Sequence, residues 1–318
     1  MRTETTLAVE TERIIPCAST TRDALDHVFH ELCQPNKQVA IPVPNWHFQL
    51  ICNTLPFTFF EAPNEESLVE NFEREAKKGT IYALILVNPA VPLMYTISEP
   101  AARLLDETAC RYGVDIVIDD ILRGLDEPGQ RDSIARFFTR PYVVEGFSKR
   151  YGDEPLGDVS YILAPDAPSA KKMKMSVTST PEYETGRYVR GSLLQLAYHN
   201  ATASALAELK RRNEAFDNGL HLFAPPETTV VRASPCAITS LVRLPEHCRY
   251  TGTELEKELK GEMVVAGMGS FLPDGHRRQY DKIRDMKALR ITVGPMDEQM
   301  VYQGARELGM RISMATPM

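Results

Sequence analysis

Several large protein classes are excluded by what this sequence lacks. No apolar run approaches the roughly 20 residues a membrane-crossing helix needs. The first residues, MRTETTLAVETERII, lack the basic start and apolar stretch of a secretory leader, so a cytoplasmic protein is expected. Positive charge is in deficit: 36 Lys and Arg stand against 43 Asp and Glu, a net charge of -7. Such a balance argues against a nucleic-acid or anionic-membrane partner. The six cysteines form no CxxC, and the histidines are not placed to complete a zinc set. Neither a metal site nor a disulfide framework is expected, and the thiols read as reduced, buried small hydrophobes. GxGxxG and P-loop patterns are missing, which disfavours dinucleotide and nucleoside-triphosphate chemistry. There is no repeat, low-complexity tract or long linker.

What is present is an ordinary globular composition of 318 residues, 43% hydrophobic and 25% charged, long enough for two domains. Short apolar runs at 39–43, 82–87, 115–119 and 142–147 have the near-continuous hydrophobicity of strands buried on both faces of a parallel sheet. Helical patterns at 20–34, 65–78 and 98–112 alternate with them. In the second, Leu68, Phe72 and Ala76 share one face. Alternation of this kind predicts an α/β fold, a mostly parallel sheet sandwiched by helices. Further on, a helical stretch at 186–214 leads to a strand over 228–244, a helix near 253–260, the strands MVVAG and LRITV, and a closing helix over 297–309. That texture predicts a smaller C-terminal α+β domain, and the division is placed as 1–214 and 215–318.

Four segments carry candidate chemistry. Lys149 lies just past an apolar strand, where open α/β sheets put their ligands, although a lysine there also reads as a solvated loop charge. Asp119 ends the buried strand DIVID, where a carboxylate meets a ligand or simply begins a turn. Ser19, Thr20 and Thr21 precede a helix with Asp23 in its first turn. They read either as a plain helix start, with Ser19 as N-cap, or as a phosphate cradle at the positive helix end. Asn88 and Pro89 follow another buried strand, a common turn signal that falls between the 19–21 segment and Asp119.

In order and spacing these segments resemble the class I/II aminotransferases, members of the fold-type-I pyridoxal-phosphate (PLP) enzymes. The proline and ring-stacking aromatic after the phosphate loop are matched by Pro44 and Trp46, and NPxxP by Asn88 to Pro92. DExY is matched in part by Asp119 to Leu122, SxSK by Gly146 to Lys149, and the carboxylate-binding arginine by Arg290 in ALRITVG. The resemblance covers essentially the whole chain. It implies that Lys149 holds PLP through a Schiff base and moves the α-proton. By the same likeness Asp119 pairs with the pyridine nitrogen, Asn88 donates to the ring hydroxyl and Trp46 stacks on the ring. Ser19, Thr20, Thr21 and Ser148 then lie around the phosphate. Arg290 clamps the substrate carboxylate in a bidentate fork. Amino-acid and α-keto-acid substrates and a homodimer are implied as well. Read without the resemblance, Trp46 is a core residue and Arg290 a surface arginine on an edge strand.

The pattern also departs from that family. Its phosphate-binding arginine, eight residues after the lysine, is Gly157 here, followed by Asp158. Its serine three residues before the lysine is Gly146, and its DExY tyrosine is Leu122. Losing an ionic phosphate contact costs on the order of 1.5–3 kcal/mol, which Arg150, Arg22 or a partner's basic side chain would have to restore. The phosphate loop arrives by residue 19, earlier than in most members, so an active-site lid is absent, supplied by another chain, or encoded upstream. Three functions are therefore weighed. Transamination is the first, and the second is another PLP reaction: elimination, cyclisation or oxidation of an amino acid in natural-product assembly. DILRGLD resembles the corresponding stretch of PLP-dependent arginine oxidases. The third is a non-catalytic or partner-dependent scaffold.

Overall fold

The strand Ile81–Val87, IYALILV, is buried at each position, so it has to lie in the middle of a sheet covered on both faces. It does. The structure, a computed structural model, describes residues 11–17, 20–45, 55–122, 133–146, 160–177, 198–259, 264–273, 278–294 and 296–317.

A seven-stranded sheet runs in the order β1-β7-β6-β5-β4-β2-β3. Its strands are β1 (Ile14–Cys17), β2 (Gln38–Val43), β3 (Phe57–Glu61), β4 (Ile81–Val87), β5 (Asp115–Asp119), β6 (Tyr142–Gly146) and β7 (Ser160–Leu163). The pairs from β3 through β2, β4 and β5 to β6 are parallel, while β7 runs antiparallel to both β6 and β1. The expected strands and helices are all found here, with ends shifted by a residue or two. Strands β1, β3 and β7 add to the expected set. Two of these form the sheet's edges, and Pro16 in β1 is tolerated because an edge strand does not need each N–H.

Helices clothe both faces. On one, α1 (Thr21–Leu32) and α4 (Ala167–Val177) pack Leu25, Phe29 and Met173 against Ile85, Val117 and Val144. On the other, α2 (Glu65–Lys77) and α3 (Glu99–Tyr112) pack Leu68, Phe72 and Leu105 against Leu84, Ile116 and Ile118. Burial of side chains the size of Leu68 or Phe72 contributes about 1.5–3 kcal/mol each. Both helices start on side-chain caps: Asn64 accepts from Ser67 N–H at 2.8 Å and Ser98 from Ala101 N–H at 3.4 Å. Helix α3 ends at Gly113, whose φ of +66° is the left-handed turn that a C-terminal glycine permits.

A second, four-stranded antiparallel sheet has the order β10-β11-β9-β8, with β8 (Thr229–Val231), β9 (Thr239–Arg243), β10 (Val264–Gly267) and β11 (Ala288–Thr292). The single strand expected over 228–244 is thus a hairpin. Its turn holds Ser234 and Pro235, a pairing that starts turns, and Ser234 Oγ accepts the Cys236 N–H at 3.2 Å. Helix α5 (Tyr198–His221) continues past 214 because Ala215, Phe216 and Leu220 extend its apolar face. Residue 215 lies inside this helix, and 186–197 fall outside the described residues. Helices α6 (Gly252–Glu258) and α7 (Asp281–Arg284) are short. The closing helix α8 (Glu298–Ala315) is longer than expected, since Ile312 and Ala315 are buried too. Helices α5 and α8 touch at Gly219, where a Cβ would come within 2.5 Å of the Tyr302 carbonyl oxygen.

The cysteines correct one expectation. Cys17, Cys236 and Cys248 are buried free thiols, whereas Cys33, just past the end of α1, and Cys110, on α3, are exposed. Cys52 lies outside the described residues. Among the described residues no group of His, Cys, Asp and Glu is arranged to hold a metal ion, and no helix is long and apolar enough to cross a membrane.

Candidate active site

Parallel strands end together, and the residues that follow them meet at one edge of the sheet. Register puts Val87 opposite Asp119 and Asp119 opposite Val144, and the Asp120 N–H donates to the Val144 carbonyl at 2.8 Å. Asn88, immediately after β4, and Asp119, the last residue of β5, therefore belong to the same edge. Gly146 closes β6 there, three residues before Lys149, and pairs with Ser160 of β7. The Ser160 hydroxyl donates to the Thr20 carbonyl at 3.3 Å, which brings the start of α1 to that edge as well. Lys149, Ser148, Ser19 and Trp46 lie outside the described residues, as do Arg150 and Gly157.

Asp119 and Asn88 are buried carboxylate and buried amide, 8% and 3% exposed. Side chains alternate along β5: Ile116 and Ile118 enter the α2/α3 core and Val117 the α1/α4 core, so Asp119 emerges on the α1 side. Its Oδ1 accepts the Ile121 N–H at 3.1 Å. Asn88 Oδ1 accepts the Ile97 N–H at 3.0 Å, which orients the amide so that Nδ2 is its donor. Neighbouring Asp120 is also buried.

At the head of α1 the N-cap is Thr20 instead of Ser19. Thr20 and Asp23 form a capping box: the Thr20 N–H and hydroxyl both donate to the Asp23 carboxylate, at 3.1 and 2.7 Å, and the Asp23 N–H donates to Thr20 Oγ1 at 3.2 Å. Two donors of the expected phosphate cradle are thus already committed to an acid. Thr21 is buried, and Arg22 is exposed beside it.

Arg290 sits in β11, the strand paired on both sides, with Ala266 and Leu241 as its register partners. It is no surface arginine, being 7% exposed. Leu289 and Ile291 enter the core beneath α5 and α8, so Ala288 and Arg290 face the other way, toward the cluster between the two sheets. Val91, Leu93 and Met94, from the loop that begins at Asn88, belong to that cluster. The Arg290 guanidinium lies 5.3 Å from the centre of the Phe271 ring. Burial lowers its pKa to about 10 and nearby Glu256 acts in the opposite direction, so it is a cation at neutral pH. Backbone and side-chain bonds fasten the small sheet to this edge: Asn45 N–H to the Phe271 carbonyl at 3.1 Å and Tyr280 hydroxyl to the Phe59 carbonyl at 3.2 Å.

Sequence reading did not single out Phe271, Glu256 or Met94. Phe271 sits in GSFLP with no recognisable spacing, and only the tertiary structure brings its ring to Arg290. Leu122 is half-buried and packs with Leu209 and Cys236 on one side and the inter-sheet cluster on the other, an apolar environment. Lys171 and Lys172 are exposed on α4, with Lys172 paired to Glu31 at 2.5 Å.

No protein-family model matches the sequence, and no curated protein is similar to it at the sequence level. Solved structures are similar. A Thermus thermophilus aspartate aminotransferase mutant superposes with a TM-score of 0.72 at 15% identity, over 96% of this chain and 81% of the other. A PLP-bound C-S lyase from Staphylococcus hominis gives 0.74 at 13% identity, over 95% and 74%. An Escherichia coli protein with a methionine aminotransferase function gives 0.74 at 13%, over 94% and 77%. The chain has the fold-type-I architecture that these proteins share.

Proposed function

We propose that this protein is a PLP-dependent enzyme acting on amino acids, with transamination as its reaction. The reading is supported by the convergence of Asn88, Asp119, the head of α1 and Gly146 at the end of β6 on one sheet edge, with Arg290 facing the cluster that the loop after Asn88 joins. The residues fit the ring of the cofactor. A carboxylate 8% exposed suits a protonated pyridine nitrogen, because burial strengthens their ion pair, and an amide oriented to donate suits the ring hydroxyl. When bound, PLP supplies an electron sink for the charge left as a bond to the substrate α-carbon breaks.

The chain's own residues have separate tasks in this reading. Asp119 holds the proton on the ring nitrogen. Asn88 orients the ring through its hydroxyl, and Trp46 covers one ring face. Ser19, Thr21 and Ser148 would hold the phosphate, and Thr20 would join them where a phosphate displaces the Asp23 carboxylate from its donors. Lys149 would hold the cofactor and carry the α-proton at its Nζ, and Arg290 would hold the substrate carboxylate in a fork that orients the α-carbon. Amino acid and α-keto acid are the substrates, in a cytoplasmic homodimer, with 1–214 as the cofactor domain and 215–318 as the small domain.

A second PLP reaction, elimination or oxidation, is favoured by one feature. Leu122 puts an apolar side chain where the aminotransferases place a tyrosine, which removes a hydroxyl from the ring environment. A C-S lyase stands among the structural neighbours. Absorbance during PLP titration, with Lys149→Ala alongside, tests the shared part: a visible band in the wild type alone supports it, and full activity in the variant sinks it. Incubation with amino acid and α-keto acid then separates the reactions, since stoichiometric amino transfer excludes the second.

A further inference from the structure

Arg290 is buried on a strand, yet its guanidinium rests on a ring carried by a short turn, and a turn of that size does not hold itself still. The 3-10 turn Met268–Phe271 is held from one side by α6. Glu256 is the principal contact. Its carboxylate accepts the Gly267 N–H at 2.9 Å and the Ser270 hydroxyl at 3.0 Å from each oxygen. One helical turn earlier, Thr253 Oγ1 accepts the Gly269 N–H at 3.1 Å and donates to the Arg284 carbonyl at 3.0 Å. Helix α6 reaches the turn because it starts flat on the sheet: a Cβ on Gly252 would fall 1.7 Å from the Ala288 carbonyl oxygen. From the far end of the turn, the Phe271 carbonyl accepts the Asn45 N–H, one residue before Trp46, and the Phe271 ring lies against Arg290. Glu256 also stabilises the charged form of Arg290, offsetting part of what burial costs it.

We propose that Glu256 is a positioning residue for substrate-carboxylate binding: by clamping the 268–271 turn it fixes the Phe271 ring against Arg290 and keeps the guanidinium aimed. The inference rests on the PLP reading above and adds a residue to it. Glu256 touches neither substrate nor cofactor. It acts through Ser270, Gly267 and Phe271, so its loss has to show in how the site recognises a carboxylate and not in whether it takes up PLP.

The test uses the full PLP-saturated chain with Glu256→Ala, Glu256→Gln and Ser270→Ala. The probes are 2-aminoisobutyrate, an α-amino acid without an α-proton, and its carboxamide, each titrated against the visible band. Hydrogen exchange at the Asn45 and Gly267 amides reads the clamp itself. Glu256→Ala is expected to keep the band, bind the carboxylate probe about tenfold more weakly, the loss of one charge-assisted contact, and bind the carboxamide as before. Exchange at both amides should quicken. Glu256→Gln keeps a hydrogen-bonding clamp without the charge and should fall between wild type and Glu256→Ala. If Glu256→Ala does not fold, Ser270→Ala removes one arm alone and should lower the carboxylate-to-carboxamide preference in the same direction. An unchanged preference with the band intact overturns the positioning role and leaves the PLP reading standing. A wild-type chain with no band at saturating PLP overturns both.

Discussion

The hydroxyl of Thr20 donates to the Asp23 carboxylate at 2.7 Å, so the head of α1 already carries a negative charge of its own. A helix start is an anion site because its first N–H groups are unpaired and the helix dipole is positive there. Here an acid from the first turn takes the N-cap's donors, at the end where a phosphate is expected. Asp23→Asn is expected to tighten PLP binding by removing a like charge, while a weakened cap lowers stability by about 0.5–1 kcal/mol. PLP titration and urea unfolding of the same variant check the two opposite signs. Weaker PLP binding would place the phosphate elsewhere.

Asp119→Asn keeps the shape of a buried side chain and removes its charge. An amide cannot hold a proton on the ring nitrogen as an ion pair does. Activity should drop at least about a hundredfold, the loss of one buried charged contact. Steady-state kinetics measures it, and circular dichroism verifies that the fold survives.

Asn213 is a structural pin unrelated to chemistry. It is 2% exposed, and its Nδ2 donates to the carbonyls of Leu209, Pro235 and Ala237 at 3.0, 3.0 and 2.8 Å, tying α5 to the β8–β9 turn. Asn213→Ala should cost about 1–3 kcal/mol by stranding buried carbonyls. Asn213→Asp should cost more, since a carboxylate would face oxygens it cannot bond. Urea-unfolding midpoints rank the two.

Asp115 opens β5 in a partly buried position, and burial raises its pKa against the opposing pull of Arg140. The sign follows from proton linkage. Below the ordinary carboxylate pKa both states are protonated and nothing is lost. As pH rises past it, the unfolded chain ionises first, so folding is penalised, fully so above the raised value. Asp115→Asn should therefore stabilise the protein at pH 7, with the advantage shrinking as pH falls toward 4. Denaturation midpoints at the two pH values measure this, and equal midpoints at pH 7 would contradict it.

Much was legible from the chain alone where physics is local. Apolar runs announce β4 and β5, since IYALILV and the Ile-Val-Ile centre of DIVID are hydrophobic on both faces, and α2 shows its stripe at Leu68, Phe72 and Ala76. The order of Asn88, Asp119 and the segment before Lys149 along the sequence was enough to suggest a shared edge, because parallel strands align their ends. Short edge strands such as β1 escaped notice: four residues including a proline carry too little pattern, and their stability comes from a neighbour distant in sequence. The turn at Pro235 likewise broke what looked like one strand, because an apolar run does not record where the backbone reverses.

What only the tertiary structure decided was which side chains share a space. Local spacing determines which face of β11 Arg290 is on, but not that its guanidinium meets the ring of Phe271 or that Glu256 holds that ring in place. The sequence by itself determined the strand–helix order and the acids, amides and cations available at the strand ends, since these depend on neighbours along the chain. Burial, the meeting of Arg290 with Phe271 and the joining of two sheets over one edge depend on contacts between distant segments, and those exist only once the chain has packed.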